Sequence, residues 1–403
     1  MNRGGAKLEN LSVAVLTPWF PDTPDGREGN FVYESAKALA GLGCGVQALV
    51  SRPRTLPGVA ASASSQGIQV AAFESFKELA LVRYLSLPRN LAPRFNDWSL
   101  ARVVGPRLIR MVRQSGTEVI HAHTEALAPI AVSVAKETGA RVAITLHGIN
   151  TSPSYLARGE RWRRFGEALA RSDRVILVGE SLRPHFRALA GHDEHFRVVP
   201  NGFRVRKLIR DRPALSQCRS IRFVSVSNLH EGKGIDDNLR AFAKIRREGH
   251  TNWSYTIIGD GYQESILRKM VRDTDLGAFV RFAGALSPEA VCKELAWADV
   301  FVLPSSPEAF GIAYLEAMAS GCLAIGVNGQ GPSAFIEDGV SGLLIEGRHS
   351  DQLAARLVEI LMSPNTFCAM AREGERIAFE RFTWSAHARQ LGSVFLELLE
   401  SSH

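Results

Sequence analysis

The feature that most constrains this chain is an alternation that runs twice along it. Short apolar runs of strand length are separated by longer stretches whose apolar residues recur at helical spacing. In the first half "LSVAVLT" (residues 11–17), "GVQALVS", "VIHAH", "RVAITLHG" and "RVILVGES" are the strand-like runs. "FVYESAKALAGLG" and "ALAPIAVSVAKETG" are the helical ones. In the second half "IRFVSVS", "SYTIIGDG", "VRFAGAL", "DVFVLPS", "CLAIGVN" and "GLLIEG" take turns with segments such as "IDDNLRAFAKIRREG". A strand that is apolar throughout has to be covered on both faces, and a helix that carries the chain back to start a neighbouring strand does this. The pattern predicts parallel βαβ units with right-handed crossovers. A chain of 403 residues is too long for one ordinary core. The expected fold class is therefore α/β, with two Rossmann-like parallel-sheet domains. The boundary is placed in "VVPNGFRVRKLIRDRPALSQCRS", where a strand ends in Pro-Asn-Gly and a basic stretch follows. This gives residues 1–203 as an N-terminal domain and 204–380 as a C-terminal one. "WSAHARQLGSVFLELLE", within 381–403, reads as a terminal helix.

Charge and cysteine usage narrow the function classes. The 48 Lys and Arg against 41 Asp and Glu leave a net charge of +7, which suits anionic partners but is equally common in soluble enzymes. Cys44, Cys218, Cys292, Cys322 and Cys368 lie far apart with no Cys-x-x-Cys pair. That argues against a metal or redox centre and against a disulfide framework. The first twenty residues lack the long apolar core of a signal peptide, and no run reaches the roughly 20 apolar residues of a membrane span. The expectation is a cytoplasmic protein, soluble or peripheral on the inner face of a membrane. Residues 74–116 interrupt the alternation with arginines, from Arg83 to Arg113, interleaved with Leu, Tyr, Phe and Trp98. Such a stretch fits an anionic membrane surface, and fits equally a pair of domain helices with solvated arginines. Nucleic-acid binding would call for a contiguous basic face with stacking aromatics, and no motif supplies one.

The chemistry gathers in "SSPEAFGIAYLEAMASG", residues 305–321. It follows an apolar strand, so it belongs at the carboxyl end of a parallel sheet, where ligands bind. Glu308 falls in the loop. Helical spacing begins near Gly311, which puts Glu316 in about the second turn. The first amides of a helix lack intrahelical partners and carry partial positive charge. They can hold a phosphate if no side chain blocks the approach, and Gly311 leaves it open. Glu308 and Glu316 are placed to accept hydrogen bonds from sugar hydroxyls. Two solvated glutamates would show the same spacing, so the pair gains meaning only from its surroundings. Lys233 stands between two glycines in "HEGKGI", a setting in which backbone can approach phosphate closely. "DTD" (Asp273, Asp275) falls at the end of an amphipathic helix, with its two carboxylates about 200° apart if both are helical. It reads as a solvated helix end. "GDG" (residues 259–261) is too short for a dinucleotide fingerprint.

Several of these segments together resemble one family. "PSSPEAFGIAYLEAMASGC" resembles the Glu-x7-Glu signature of the retaining GT-B glycosyltransferases of family four. "VPNGF" (residues 199–203) is similar to that family's interdomain Pro-Asn-Gly, and "VSNLHEGKGIDDNLRAF" to its Gly-Arg-Leu…Lys-Gly donor loop. "IIGDGYQESIL", "VRFAGALSPEAV" and "GQGPSAFIEDGVSGLLIEG" resemble further family segments. "PWFPDTPDGREGNFVYESAKALAGLG", "HAH" and "LHG" resemble its N-terminal glycine loop, first helix and strand ends. The resemblance implies two domains facing across a cleft, with the C-terminal helix returning to the N-terminal domain. It also implies transfer of a sugar, with retention, from a nucleotide-sugar to an acceptor such as a glycan or lipid-linked glycan of the cell envelope or exopolysaccharide. By resemblance, His123, Lys233 and Glu308 form the catalytic set. Gly29, Asn228, Lys233, Ala285, Leu286, Glu308, Phe310, Gly311, Ile312 and Glu316 bind the donor, Glu316 at its ribose and Lys233 at its diphosphate. His147 and Asn201 lie near the sugar or acceptor. No metal and no cofactor are expected. Without the resemblance, His123 and His147 read equally as histidines capping strand ends. One departure stands out: Asn228 occupies the position where the family commonly has Arg, and it carries no charge. His230, or a basic residue in 204–212, is the candidate replacement. Two further readings stay open: a sugar-nucleotide epimerase of the same fold, and a non-catalytic basic binding subunit.

Overall fold

A computed structural model describes residues 8–21, 29–50, 63–64, 66–72, 102, 104–149, 159–204 and 220–400. The chain divides into two compact units, one of Met1–Gly202 with Trp384–His403, the other of Phe203–Thr383.

The first unit runs β1 (Ser12–Thr17), α1 (Asn30–Ala40), β2 (Gly45–Val50), β3 (Ile68–Ala72), α2 (Gly105–Gln114), β4 (Val119–His123), α3 (Ala128–Thr138), β5 (Arg141–Leu146), α4 (Gly159–Arg171), β6 (Arg174–Leu177), α5 (Arg183–Ala190) and β7 (Phe196–Val198). Its sheet has the order β3-β2-β1-β4-β5-β6-β7, and every pairing in it is parallel. The second unit runs β8 (Ile221–Val226), α6 (Ile235–Arg247), β9 (Trp253–Ile258), α7 (Glu264–Asp273), β10 (Val280–Gly284), α8 (Pro288–Trp297), β11 (Val300–Val302), α9 (Ile312–Ala319), β12 (Leu323–Val327), β13 (Leu343–Ile345), α10 (Ser350–Met362) and α11 (Pro364–Arg381). Its sheet order is β10-β9-β8-β11-β12-β13, again parallel. Counted from its own first strand, that is 3-2-1-4-5-6. Both units are thus Rossmann-like, and in each the winding direction reverses beside the first strand, between β1 and β4 and between β8 and β11.

The apolar runs become strands because they can be buried on both faces. Every residue of β4, β11 and β12 is buried. The last helix, α12 (Trp384–Glu400), belongs to the first unit. Its Ala388, Leu391, Val394, Phe395 and Leu398 share one core with Val13, Val15, Val32, Leu39, Val46 and Ile68. The resemblance's expectation of a returning C-terminal helix is therefore met. In the second unit, Asn238 on α6 donates to the Tyr255 hydroxyl at 2.8 Å and to the Val302 carbonyl at 3.2 Å, which satisfies buried polar groups beneath the sheet.

Two details differ from the sequence reading. The strand β3 was not anticipated: it lies at the sheet edge, only Ile68 in it is fully buried, and its apolar signal is correspondingly weak. Asp275 is not on a helix face: α7 ends at Asp273, and Asp275 adopts a φ of 53° beyond it. Asp273 pairs with Lys269 at 3.2 Å and Asp275 with Arg246 at 2.5 Å, so the two carboxylates serve separate cations. Within residues 74–116, α2 buries Leu108 and Val112 and leaves Arg107, Arg110 and Arg113 exposed. Arg83, Arg89, Arg94 and Trp98 lie outside the described residues.

Phe395, fully buried on α12, tests whether this helix completes the first core. Phe395→Ala should cost about 3–5 kcal/mol, as for other buried aromatic truncations, measured by urea unfolding. A loss below about 1 kcal/mol would show that the core closes without α12.

Candidate functional site

The second unit gathers most of the sequence-predicted residues at the carboxyl ends of β8 and β11, the strands that flank its switch point. After β8 the chain forms a tight turn, Glu231–Lys233, capped by Gly234 at a φ of 66°. A Cβ on Gly234 would lie 2.4 Å from the Pro304 carbonyl oxygen. Only glycine lets this turn press against the loop that follows β11. The two loops are stitched together where the Ser306 amide donates to the Gly232 carbonyl at 2.7 Å. Across that seam Lys233 Nζ donates to Glu308 Oε2 at 2.7 Å, and the Ser305 hydroxyl donates to the same oxygen at 3.0 Å. Lys233 and Glu308 side chains are 19% and 13% exposed, so the pair is partly shielded yet reachable.

A third loop, after β12, braces the first two. Gln330 Oε1 accepts from the Glu308 amide at 2.9 Å, and the Gly331 amide donates to the Glu308 carbonyl at 2.8 Å. A Cβ on Gly331 would come within 2.4 Å of the Phe310 backbone. Phe310 is buried, with its ring centroid 5.4 Å from Phe335 and 6.1 Å from Phe382. This anchors the chain as it enters α9. Gly311 caps α9 in a left-handed conformation, at a φ of 93°, so the Ile312 end of the helix is preceded by no side chain. Tyr314 donates its hydroxyl to the Leu303 carbonyl from beneath. Glu316, in the second turn, is partly buried.

The turn carrying Lys233 is also held from its far side. Arg348 donates to the Glu231 carbonyl at 2.7 Å and to the carboxylates of Asp236 and Asp237 at 3.3–3.4 Å. Asn228, at the exit of β8, is exposed. Behind it, the turn at residues 259–261 fits so closely that a Cβ on Gly261 would lie 2.3 Å from the Leu229 carbonyl oxygen. His230, offered as a substitute for the missing arginine charge, is disfavoured in its charged form. Burial, then the neighbouring Lys233, pushes its imidazole below its ordinary value. Ala285 and Leu286 follow β10 on the same carboxyl edge, two strands from β8.

Gly29, His123, His147 and Asn201 belong to the first unit. Gly29, at a φ of 74°, caps α1 in a position where a Cβ would lie 2.4 Å from the Trp19 carbonyl carbon. Phe31, two residues on, packs its ring 4.4 Å from His147. His123 Nδ1 and His147 Nε2 are 2.9 Å apart, at the carboxyl ends of β4 and β5. His121 contacts His123 at 4.2 Å between ring centroids and hydrogen-bonds Thr145 at 2.6 Å. His387 on α12 donates from Nδ1 to the Pro200 carbonyl at 2.7 Å, which leaves Nε2 to accept from the Ser35 hydroxyl at 2.8 Å. It holds the segment that carries the buried Asn201. Among the described residues, the buried His121 Nδ1, His123 Nε2 and His147 Nδ1 have no hydrogen-bond partner. Burial lowers all four imidazoles, with the neighbouring histidines adding to the effect for His121, His123 and His147. His121 and His147 fall to about 3, His387 to about 4, and His123 well below its ordinary value. Sequence reasoning named His123 and His147 but missed His121, His387, Gln330 and Arg348. His121 was visible two residues before His123. The others matter only through partners remote in the chain.

Residues 29–207 match the family model "Glycosyltransferase Family 4" and residues 211–376 match "Glycosyl transferases group 1". The chain is 26% identical over 305 residues to the GDP-mannose-dependent alpha-(1-6)-phosphatidylinositol monomannoside mannosyltransferase of Mycobacterium tuberculosis, covering 72% of this chain and 78% of that one. It is 22% identical over 322 residues to the alpha-monoglucosyldiacylglycerol synthase of Acholeplasma laidlawii, covering 74% and 79%. Among solved structures, Anabaena HepE in complex with UDP and glucose superposes with a TM-score of 0.73 at 17% identity, over 97% of this chain and all of that one.

The four lowered imidazoles set a pH dependence. Each stays neutral in the folded chain while its unfolded counterpart protonates below about 6.5. The unfolded state then binds more protons, so stability is complete above that pH and falls as pH drops toward 3–4. Equilibrium unfolding between pH 7 and 4.5 should show this loss, and His387→Gln should reduce its slope. A flat profile over that range would contradict the burial of neutral imidazoles.

Proposed function

The chain belongs to the group 1 glycosyltransferases of GT-B fold, and from that premise we propose that it moves a sugar, with retention, from a nucleotide-sugar to a glycan or lipid-linked glycan of the cell envelope. The observation that carries this reading is the Lys233–Glu308 contact across the seam between two strand-end loops, beside the glycine-capped start of α9. Breaking the bond between the sugar and the nucleotide leaves positive charge on the sugar and adds negative charge to the departing diphosphate. Lys233 and the first amides of α9 are the groups suited to receive that negative charge. Glu308, held by Lys233, Ser305 and the backbone of Gly331, is suited to fix the sugar rather than attack it. Glu316 takes the ribose hydroxyls, and Phe310, Gly311 and Ile312 contribute backbone. Asn228, Ala285 and Leu286 line the nucleotide's approach. In the first unit, His123 contacts the transferred sugar, with Gly29, His147 and Asn201 near it or the acceptor. No step in this scheme requires a metal. The acceptor class is supported by relatives whose names specify a phosphatidylinositol mannoside and a glucosyldiacylglycerol product.

The same reading places the protein at the cytoplasmic face of an anionic membrane. Among the described residues no helix is long and apolar enough to cross a bilayer. The net charge is +7, and α2 presents Arg107, Arg110 and Arg113 on one exposed face. Each such cation near an anionic surface contributes about 1 kcal/mol.

Thermal shift with UDP-, GDP- and ADP-sugars should identify one stabilising donor class, and the anomeric configuration of the product, read by NMR, should match the donor's. An inverted product would overturn retention, and donor conversion without any acceptor would indicate an epimerase. With the identified donor, Lys233→Ala should lower turnover by about 2–4 kcal/mol, roughly 30- to 900-fold. Near-normal turnover at saturating donor would remove Lys233 from the reaction. Sedimentation with anionic vesicles should exceed that with neutral ones, fall with added salt, and weaken when Arg102, Arg107 and Arg110 become Gln. Equal, negligible sedimentation with both vesicle types at low salt would refute membrane docking.

A further inference from the structure

The loop between α5 and β7, "GHDEHF" (residues 191–196), plays no part in the proposed reaction, yet it assembles three ligands suited to a transition metal. One nitrogen from each of His192 and His195 and a carboxylate oxygen of Glu194 all lie within 4.8 Å of one another. The His192 and His195 ring centroids are 4.8 Å apart. His192 Nδ1 and Glu194 Oε2 are already 3.0 Å apart. A tetrahedral ion with ligands at about 2.1 Å separates them from each other by roughly 3.4 Å, so a small contraction of exposed side chains would close the site. His192 and Glu194 are 43% and 83% exposed and are free to make that movement.

An independent feature outside the loop points the same way. His195 Nε2 donates to the Leu169 carbonyl, at the end of α4, over 2.9 Å. A carbonyl can only accept, so the proton is fixed on Nε2 and the Nδ1 lone pair is left free. That is the arrangement in which metal-ligating histidines are held, with the remote ring nitrogen tied to backbone so that tautomer and ring orientation are set. The fourth acid-base side chain of the loop is excluded as a ligand. Asp193 faces Arg183 at 3.5 Å and Arg187 at 3.6 Å and so offsets those two cations, while Arg197 donates to the Glu194 carbonyl at 3.1 Å and leaves its carboxylate to the ion.

We propose that His192, Glu194 and His195 bind one divalent transition-metal ion of the Zn2+ class, with water in the remaining position. Two imidazoles and one carboxylate favour Zn2+, Ni2+ or Cu2+ over Mg2+ and Ca2+, which prefer all-oxygen shells. His195 binds through Nδ1. His192 binds through Nδ1, the nitrogen that already faces Glu194, after its proton passes to Nε2. The bound ion would join the end of α4 to the short edge strand β7, through Leu169 and Phe196. Its effect would be on the stability of that edge and not on sugar transfer.

The test uses the full chain, stripped with EDTA, in titrations with ZnCl2 and with MgCl2 followed by calorimetry and thermal unfolding. The expected result is one Zn2+ per chain with micromolar or tighter affinity. The unfolding temperature should rise with free Zn2+ and stay unchanged with Mg2+. His192→Ala and Glu194→Gln, both at exposed positions, should each weaken Zn2+ binding at least tenfold while the metal-free protein unfolds as the parent does. Co2+ in place of Zn2+ should give visible absorption that both variants diminish. Absence of one-to-one Zn2+ binding would overturn the site, and so would binding of equal strength in the parent and both variants.

Discussion

A parallel strand buried on both faces has no room for polar chemistry along its length, so reactive groups collect where strands end. Both units obey this constraint. In the second, β8 and β11 diverge into loops on either side of the switch point, and Lys233 and Glu308 meet there at 2.7 Å. In the first, His123 and His147 meet at the corresponding ends of β4 and β5. Burial of the apolar strands supplies the scaffold energy, at about 25 cal/mol per Å² of apolar surface. The site can then be built from groups that contribute little to stability.

The Lys233–Glu308 pair illustrates that division. A partly buried ion pair gains attraction but loses solvation, and the two nearly cancel. Its value lies in position. Ser305, Gln330 and Gly331 each contact Glu308, and Arg348 grips the Lys233 turn from behind. With so many constraints, the ammonium and carboxylate keep their places without much reorganisation when a charged ligand arrives, which is the condition for electrostatic stabilisation of a charged transition state.

The sequence disclosed the fold because its strands are apolar throughout and its helices amphipathic, so local pattern and tertiary environment agree. It failed at β3, an edge strand in which only Ile68 is fully buried and two of its five residues are alanine, so its apolar signal is weak. Lys233, Glu308 and Glu316 could be picked out because each sits in a motif with glycine at a fixed offset. Gln330 could not: an amide in a loop gains its role only by reaching Glu308, 22 residues away. His387 is a similar case. It touches Ser35 and Pro200, 352 and 187 positions distant in the chain, and nothing in "WSAHARQ" marks a histidine as a clamp. The helical phase assigned to Asp275 failed because the helix stops two residues short of it, and such boundaries depend on capping contacts more than on local propensity.

Asn228 poses the remaining electrostatic question. On the proposed reaction a diphosphate needs positive charge near the end of β8, and the family's arginine is replaced there by a neutral amide. Burial and Lys233 lower the pKa of His230 and so disfavour its charged form. Arg348 is committed to Asp236, Asp237 and the Glu231 carbonyl. Of the basic candidates in 204–212, residues 205–212 lie outside the described residues; among the described residues at this edge, Lys233 and the start of α9 are the groups suited to the charge. A helix terminus offers partial charge only, about half an elementary charge spread over its first amides, but it cannot be neutralised by proton loss. Gly311, the N-cap of α9, then acquires an electrostatic as well as a steric meaning. On the proposed reaction, Gly311 leaves the start of α9 uncovered while Gly331 lets its loop pack against the Phe310 backbone, and a short approach distance would compensate for a missing full charge.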